Sequence, residues 1–307
     1  MKAIALAVIV ISAQGLVSLD LASASPVAEK LNGYIDCTNS LSERAYESRS
    51  RYFSWAAKSG PTGKERIIYG TYTISEPDSC QKSIESANAL EPHDAALEGA
   101  GSDYLKSVQA LYPLLKEADD YYEQENYKDD KMAKGKALHP RLVAAWSDFE
   151  KADSKLRGSI DTLSDKIAVE DLAEIEKSEG RKGRYHIQAL MIKAKQVLRD
   201  ENAEGAPDVA KITASLAVYE DAVKAAEQYA GANKDSGIGS SFIGSAKSFL
   251  VTSKGLMRRI RDKVPYSDGD KMMMDGGGGA WMVEGSPARQ TRDYNELIDS
   301  YNRGGRF

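Results

Sequence analysis

"LVAAWSDFEKADSKLRGSIDTLSDKI" (residues 142–167) places its apolar side chains in a seven-residue rhythm. Leu142, Phe149, Leu156 and Leu163 make one row; Trp146, Asp153, Ile160 and Ile167 make the alternate row, with Asp153 as its one polar member. Two such rows, three or four residues apart on a 3.6-residue helix, merge into a single seam that interlocks with a neighbouring helix. Extending the pattern in both directions predicts one helix from about Met132 to Ser178. At 1.5 Å per residue that is on the order of 70 Å, and the seam asks for partner helices along all of it.

Those partners follow from the same three-and-four spacing. Val27, Leu31, Tyr34, Leu41 and Ala45 form one stripe, and Leu105, Val108, Tyr112, Leu115, Ala118 and Tyr122 a second. Beyond the long helix come Ile187, Leu190, Ala194 and Val197; then Val209, Ile212, Leu216, Tyr219, Val223, Ala226 and Ala230; then Phe242, Ala246, Phe249, Ser253, Met257, Ile260 and Val264. Glycine and proline punctuate the chain at Gly180–Gly183, Gly205–Pro207, Asn233–Gly239 and Pro265. Short connections between long helices favour antiparallel neighbours. The expected fold is all-α: elongated antiparallel bundles around a long, coiled-coil-like central helix. Residues 25–303 form either one domain or two stacked bundles, roughly 25–180 and 181–303. The exception is "SGPTGKERIIYGTYTISEPDSC" (residues 59–80), where β-branched and aromatic residues over 67–75 fit a small hairpin, or a loop held down by Cys80. "MMMDGGGGAW" (residues 272–281) reads as a linker, because no strand precedes its glycines and no Lys-Ser/Thr follows them.

The chain opens MKAIALAVIVISAQGLVSLDLASASPVAEK. Lys2, an apolar core over Ala3–Val17 and Ala22-Ser23-Ala24 together read as a signal peptide (residues 1–24) cleaved to leave Ser25 first. The alternative is retention as an anchor, although Gln14, Ser18 and Asp20 leave fewer than the ~20 apolar residues that span a bilayer. The expected location is the periplasm or the exterior, with no transmembrane segment after cleavage. A net charge of −5 argues against nucleic acid, which demands a dominant basic surface. Cys37 and Cys80 are an even pair in an exported chain, which suggests a disulfide; a lipidated cysteine and free thiols are the rival readings.

Candidate chemistry is sparse. Asp119, Asp120 and Glu123 close one helix, and Asp129 and Asp130 open the next. Oxygen-rich clusters of this kind bind hard cations, but the EF-hand spacing is absent and Lys128, Lys131 and Lys134 offset the charge, so a polar corner is the favoured reading. His93, His139 and His186 share no metal-binding spacing, and neither G-x-S-x-G nor H-E-x-x-H occurs. No metal, cofactor or catalytic set is expected. Lys247, Lys254, Arg258 and Arg261 line one edge of a helix stripe as a candidate anion- or partner-binding row. Tyrosine outnumbers phenylalanine 16 to 5. It clusters at Tyr69/Tyr72, Tyr121/Tyr122/Tyr127 and Tyr294/Tyr301, which suits either wet helix seams or a binding surface.

Three long blocks carry a resemblance: "YYEQENYKDDKMAKGKALH" (121–139), "RRIRDKVPYSD" (258–268) and "WMVE…PAR…DYNELIDSYN" (281–302). With "GPTGKER" (60–66) and the paired cysteines, the chain resembles the YiiG family of bacterial envelope proteins, built on a domain of unknown function. The family's members are commonly lipoproteins; here no cysteine sits at the cleavage site, so this chain departs from the pattern that a lipid tether requires. The resemblance carries no activity and no catalytic residues. The sequence therefore leads to an exported, non-enzymatic envelope protein that binds a protein, glycan or lipid through its helical faces. A receptor for an anionic lipid, glycan or muropeptide is the alternative, and a hydrolase using Asp119, Asp120 or Glu123 is the weakest reading.

Overall fold

The computed structural model describes residues 26–203, 205–275 and 279–304; the expected signal peptide and most of the glycine run lie outside them. Among the described residues the fold is all-α, with no strand. The helices are α1 (Pro26–Trp55), α2 (Asp78–Asn88), α3 (Ala95–Glu123), α4 (Ala133–Glu179), α5 (Gly183–Glu201), α6 (Val209–Ala232), α7 (Ser240–Asp262), α8 (Asp268–Asp275) and α9 (Pro287–Gly304). No helix among the described residues is long and apolar enough to cross a membrane. Contacts divide the chain into two compact units, Leu21–Ser164 and Asp165–Phe307, so the division falls inside α4.

In the N-terminal unit α2 packs on α1 and α3. Of the α1 stripe, Leu31, Tyr34, Leu41 and Ala45 are buried and Val27 is half-buried; the stripe continues through Ser48 to Tyr52. The α3 stripe has a different phase: Leu97, Tyr104, Val108, Leu111, Leu115, Ala118 and Tyr122 are buried, while Leu105 and Tyr112 are not. Tyr104 and Leu111 are seven apart and outweigh the pair one residue later. Cys37 and Cys80 are bonded across α1 and α2, with Cα atoms 4.6 Å apart. Asp94 caps α3 by accepting the Ala96 and Leu97 amides at 3.0 and 2.9 Å.

The heptad seam of α4 is buried from Leu138 to Ile160, with Trp146, Phe149 and Leu156 fully covered. Leu163 and Ile167 are only half-buried, and no residue from 161 to 174 is fully buried. Over this stretch the seam is covered only in part, and Lys195 and Arg199 of α5 reach it through Asp165. Asp153, the polar member of the seam, is almost completely buried and fully engaged. It accepts the Ser42 hydroxyl at 2.7 Å, the Tyr46 hydroxyl at 3.0 Å and Arg157 Nε at 2.9 Å. Ser42 and Tyr104 share a further hydrogen bond of 2.8 Å. Removing the carboxylate strands these donors, so Asp153→Ala should cost the N-terminal unit about 2–3 kcal/mol in urea unfolding, and Ser42→Ala about 1. Equal, small losses in both variants would refute the network.

His139 is held in the same unit. Its Nε2 donates to the Lys58 carbonyl at 3.2 Å, which leaves Nδ1 to accept the Tyr52 hydroxyl at 2.9 Å. Pro140, next to it, lies inside α4.

In the C-terminal unit α6 packs on α5 and α7, and α9 packs on α7. Ile187, Leu190, Ala194 and Val197 meet Ile212, Leu216, Tyr219 and Val223, with Phe242, Ala246 and Phe249 from α7 and Leu297 and Ile298 from α9. The expected helix breaks all fall between these elements. Arg259 fastens the end of α7, donating to the Pro265 and Glu284 carbonyls at 3.1 Å each.

Candidate functional site

The stretch read as either a small hairpin or a loop is a strap without a ladder. No backbone–backbone hydrogen bond forms between Pro61 and Glu76 among the described residues. Side chains on one face of α1 hold the strap instead. Arg51 Nε donates to the Tyr69 carbonyl at 2.8 Å, Trp55 Nε1 to the Gly70 carbonyl at 2.9 Å, and Ser48 Oγ to the Tyr72 carbonyl at 2.6 Å. Ser48 Oγ also accepts the Tyr72 amide at 3.0 Å. Gly70 turns with φ +69°, and a Cβ there would lie 3.0 Å from Tyr122 Cβ, so strain and crowding both select glycine. With its carbonyls taken by α1, the strap has no need of a partner strand, so the loop rather than the hairpin is realised.

Between the strap and the end of α3 lies a cleft of about 510 Å³. Tyr69 and Tyr72 come from the strap, Tyr122 from α3 and Tyr127 from the turn beyond, so two of the three tyrosine clusters meet here. Asp119, Glu123, Glu125 and Arg51 supply the charge. Arg51 is committed: besides Tyr69 it donates to the Tyr72 hydroxyl at 2.8 Å, and Arg44 lies 3.7 Å from the Tyr72 ring centre. Glu125 pairs with Lys128. Asp119 and Glu123 make no hydrogen bond or salt bridge among the described residues. Partial burial, with the nearby carboxylates of Glu123 and Asp120, pushes the Asp119 carboxyl up from its usual value against the pull of Arg51 and Arg44. The Thr71 hydroxyl on the wall is buried and has no hydrogen-bond partner.

The model of a family described as "Protein of unknown function (DUF3829)" matches residues 25–303. The chain belongs to the DUF3829 family. It is similar to the "Uncharacterized protein YiiG" of Escherichia coli (strain K12), 39% identical over 280 residues that cover 89% of this chain and 78% of that protein. The crystal structure of an uncharacterized DUF3829-like protein from Bacteroides thetaiotaomicron is similar at 15% identity. That match covers 90% of this chain and 98% of the other, with a TM-score of 0.27.

In this DUF3829 chain the acidic cluster is dispersed rather than gathered. Asp130 caps the start of α4, accepting the Lys134 amide at 2.8 Å, the Ala133 amide at 3.2 Å and the Tyr121 hydroxyl at 2.8 Å. Asp119 and Glu123 face the cleft, and Asp120 and Asp129 are exposed outside its lining. No three carboxylate, histidine or cysteine side chains converge for a metal among the described residues. The basic row is largely paired as well. Lys247 pairs with Glu227, Lys254 with Glu220 at 2.6 Å, and Arg261 with Asp262 at 2.8 Å, while Arg258 is exposed. The first two pairs tie α7 to α6, which weakens the row as an anion site.

The sequence did not point to a second polar site, enclosed in the C-terminal unit. Glu201, Ser253 and Gln290 are all buried. Gln290 Nε2 donates to Glu201 Oε2 and to Ser253 Oγ, and Asn202 Nδ2 donates to Gln290 Oε1 at 2.8 Å. Glu201 Oε1 has no partner. Burial pushes the Glu201 carboxyl up to about 8; the hydrogen bonds from Ser253 and Gln290 oppose the shift.

Proposed function

We propose that the protein is an exported, non-enzymatic binding protein of the cell envelope and that the cleft beside the strap is its binding surface. The observation that carries this reading is the cleft wall itself: four tyrosines and two uncommitted carboxylates around about 510 Å³, a size in the range of small-molecule sites. No nucleophile–base pair accompanies them, so recognition accounts for the lining better than turnover does. The Cys37–Cys80 bond supports export, since such bonds persist in oxidising compartments. The paired basic row and the acidic cleft make an anionic lipid the poorer ligand.

The test is site-specific photocrosslinking in envelope extracts. A photoreactive phenylalanine analogue replaces Tyr69, which is 48% exposed at the cleft, or Val251, which is 69% exposed on α7. A discrete adduct at position 69 and none at 251 is expected. The same adducts at both positions, or none at either, would refute the cleft as the binding surface. Mass measurement of the purified chain should show it beginning at Ser25; an intact leader on a cytosolic product would refute export.

A further inference from the structure

We propose that Met272, Met273 and Met282 form a thioether site for a soft monovalent cation of the copper(I)–silver(I) class. Four of the chain's eight methionines fall within residues 272–282. Methionine is among the side chains most often buried, and methionines elsewhere in the fold follow that preference. Met132 and Met191 are buried, and Met257 packs against the core of the C-terminal unit. Met272, Met273 and Met282 are instead 77%, 43% and 48% exposed. They share one surface, because α8 packs on the single 3-10 turn Ala280–Met282. A Cβ placed on Gly279 would lie 3.2 Å from Met282 Cε and 3.5 Å from Met273 Cβ, so these two side chains flank one point. Met272 adjoins Met273 on α8. Its side chain is unbranched with three rotatable bonds, so its sulfur can swing toward the same point.

The donor set selects the ion. Soft thioether ligands favour copper(I), whereas zinc takes thiolate, imidazole or carboxylate and calcium and magnesium take oxygen. Oxygen ligands beside the cluster are already engaged: Asp268 pairs with Lys271 at 2.8 Å, and Asp270 accepts the Ser267 amide at 3.0 Å. No thiol competes, because the chain's two cysteines are bonded to each other and buried. The neighbouring Arg292 is paired with Glu296 at 2.9 Å and lies over the Trp281 ring. Neutral sulfurs among paired charges suit an ion of a single charge. Between Pro265 and Met282 the chain has no leucine, isoleucine, valine or phenylalanine. Sulfur, rather than bulk hydrophobicity, sets this patch apart from an ordinary apolar docking face.

The experiment titrates the purified full chain, its methionine methyls labelled with carbon-13, with silver(I) nitrate in chloride-free buffer. Silver(I) stands in for copper(I) and needs no reductant. The chain should bind one silver ion at this site, and the Met272, Met273 and Met282 methyl resonances should shift while those of Met132 and Met191 stay in place. The triple variant Met272→Leu/Met273→Leu/Met282→Leu keeps the apolar surface and nearly the volume but loses the sulfurs. It should bind silver at least tenfold more weakly, and each single variant several-fold. Met191→Leu, in the core on α5, should leave binding unchanged. Copper(I) kept reduced by ascorbate should displace silver, and zinc and calcium should not. Melting curves matching the wild type show that the leucine variants fold. Silver binding that survives the triple replacement, shifts confined to other methionines, displacement by zinc, or no binding at micromolar silver would each overturn the proposal. The thioether site lies in the C-terminal unit and the cleft in the N-terminal unit, so either can fail without the other.

Discussion

Reducing the Cys37–Cys80 bond should lower the unfolding free energy of the N-terminal unit by about 4 kcal/mol. The bond closes a loop of 43 residues, and the chain-entropy model assigns roughly that value to a loop of this length. The loop contains the strap, whose backbone makes no ladder and is held in the folded state by three side chains of α1. Native packing at the bond is close. Gly33 stands where a Cβ would lie 2.9 Å from Ala87 Cβ and from the Ser83 carbonyl oxygen, so α1 and α2 approach without a side chain between them.

Reduced wild-type protein is the better comparison, because Cys37→Ala/Cys80→Ala also removes two buried sulfurs. The double variant should fall slightly below the reduced protein. Trp55 and Trp146 belong to the N-terminal unit and Trp281 to the other, so Trp281→Phe confines the tryptophan emission to the unit under test. A loss below about 1 kcal/mol on reduction would show that the strap and α2 are already ordered in the unfolded ensemble.

Most of the helical architecture was legible because it depends on one repeating signal. Apolar spacing located the α4 seam, and glycine–proline clusters located the ends of α4, α5, α6 and α7 within a few residues. Where reading failed or stayed open, the determinants were not periodic. The strap over residues 67–75 has strand-like composition, but Ser48, Arg51 and Trp55, spaced three and four apart on α1, take its carbonyls before a second strand can. In α3 two interleaved apolar rows differ by a single position, and only packing selects Tyr104 and Leu111 over Leu105 and Tyr112. The cleft was half visible: tyrosine clustering and the acids at the end of α3 were apparent, but their meeting with the strap is a long-range contact without a local motif. The enclosed site left a clearer trace. Glu201 follows Val197 by four on the α5 stripe, Ser253 follows Phe249 by four on α7, and Gln290 precedes Tyr294 by four on α9. A polar residue at a core position in three neighbouring helices is the signature of a shared buried network.

Glu201→Gln should stabilise the C-terminal unit progressively as pH rises from about 4.5 to about 8. The direction follows from proton linkage. In the folded protein the Glu201 carboxyl titrates at about 8, against 4.5 when solvated, so between these values the folded state binds the proton that the unfolded state has released. Stability is therefore complete below about 4.5 and declines with increasing pH until the folded carboxyl ionises near 8. The full span is at most roughly 5 kcal/mol at 1.36 kcal/mol per pH unit. The substituted amide carries no charge, can still accept from Gln290, and places an NH2 group where Glu201 Oε1 has no partner. Other carboxylates act in the opposite direction: Lys30 and His93, bonded to Glu98, hold it down at about 2, so its contribution is lost in acid. They cancel in the difference between variant and wild type, which should be near zero at pH 4.5, grow through pH 6 and 7, and level off above about 8. Urea unfolding at five pH values, followed by far-ultraviolet circular dichroism, measures that difference. Parallel profiles for the two proteins would mean that water reaches Glu201 and that the buried network does not hold its proton.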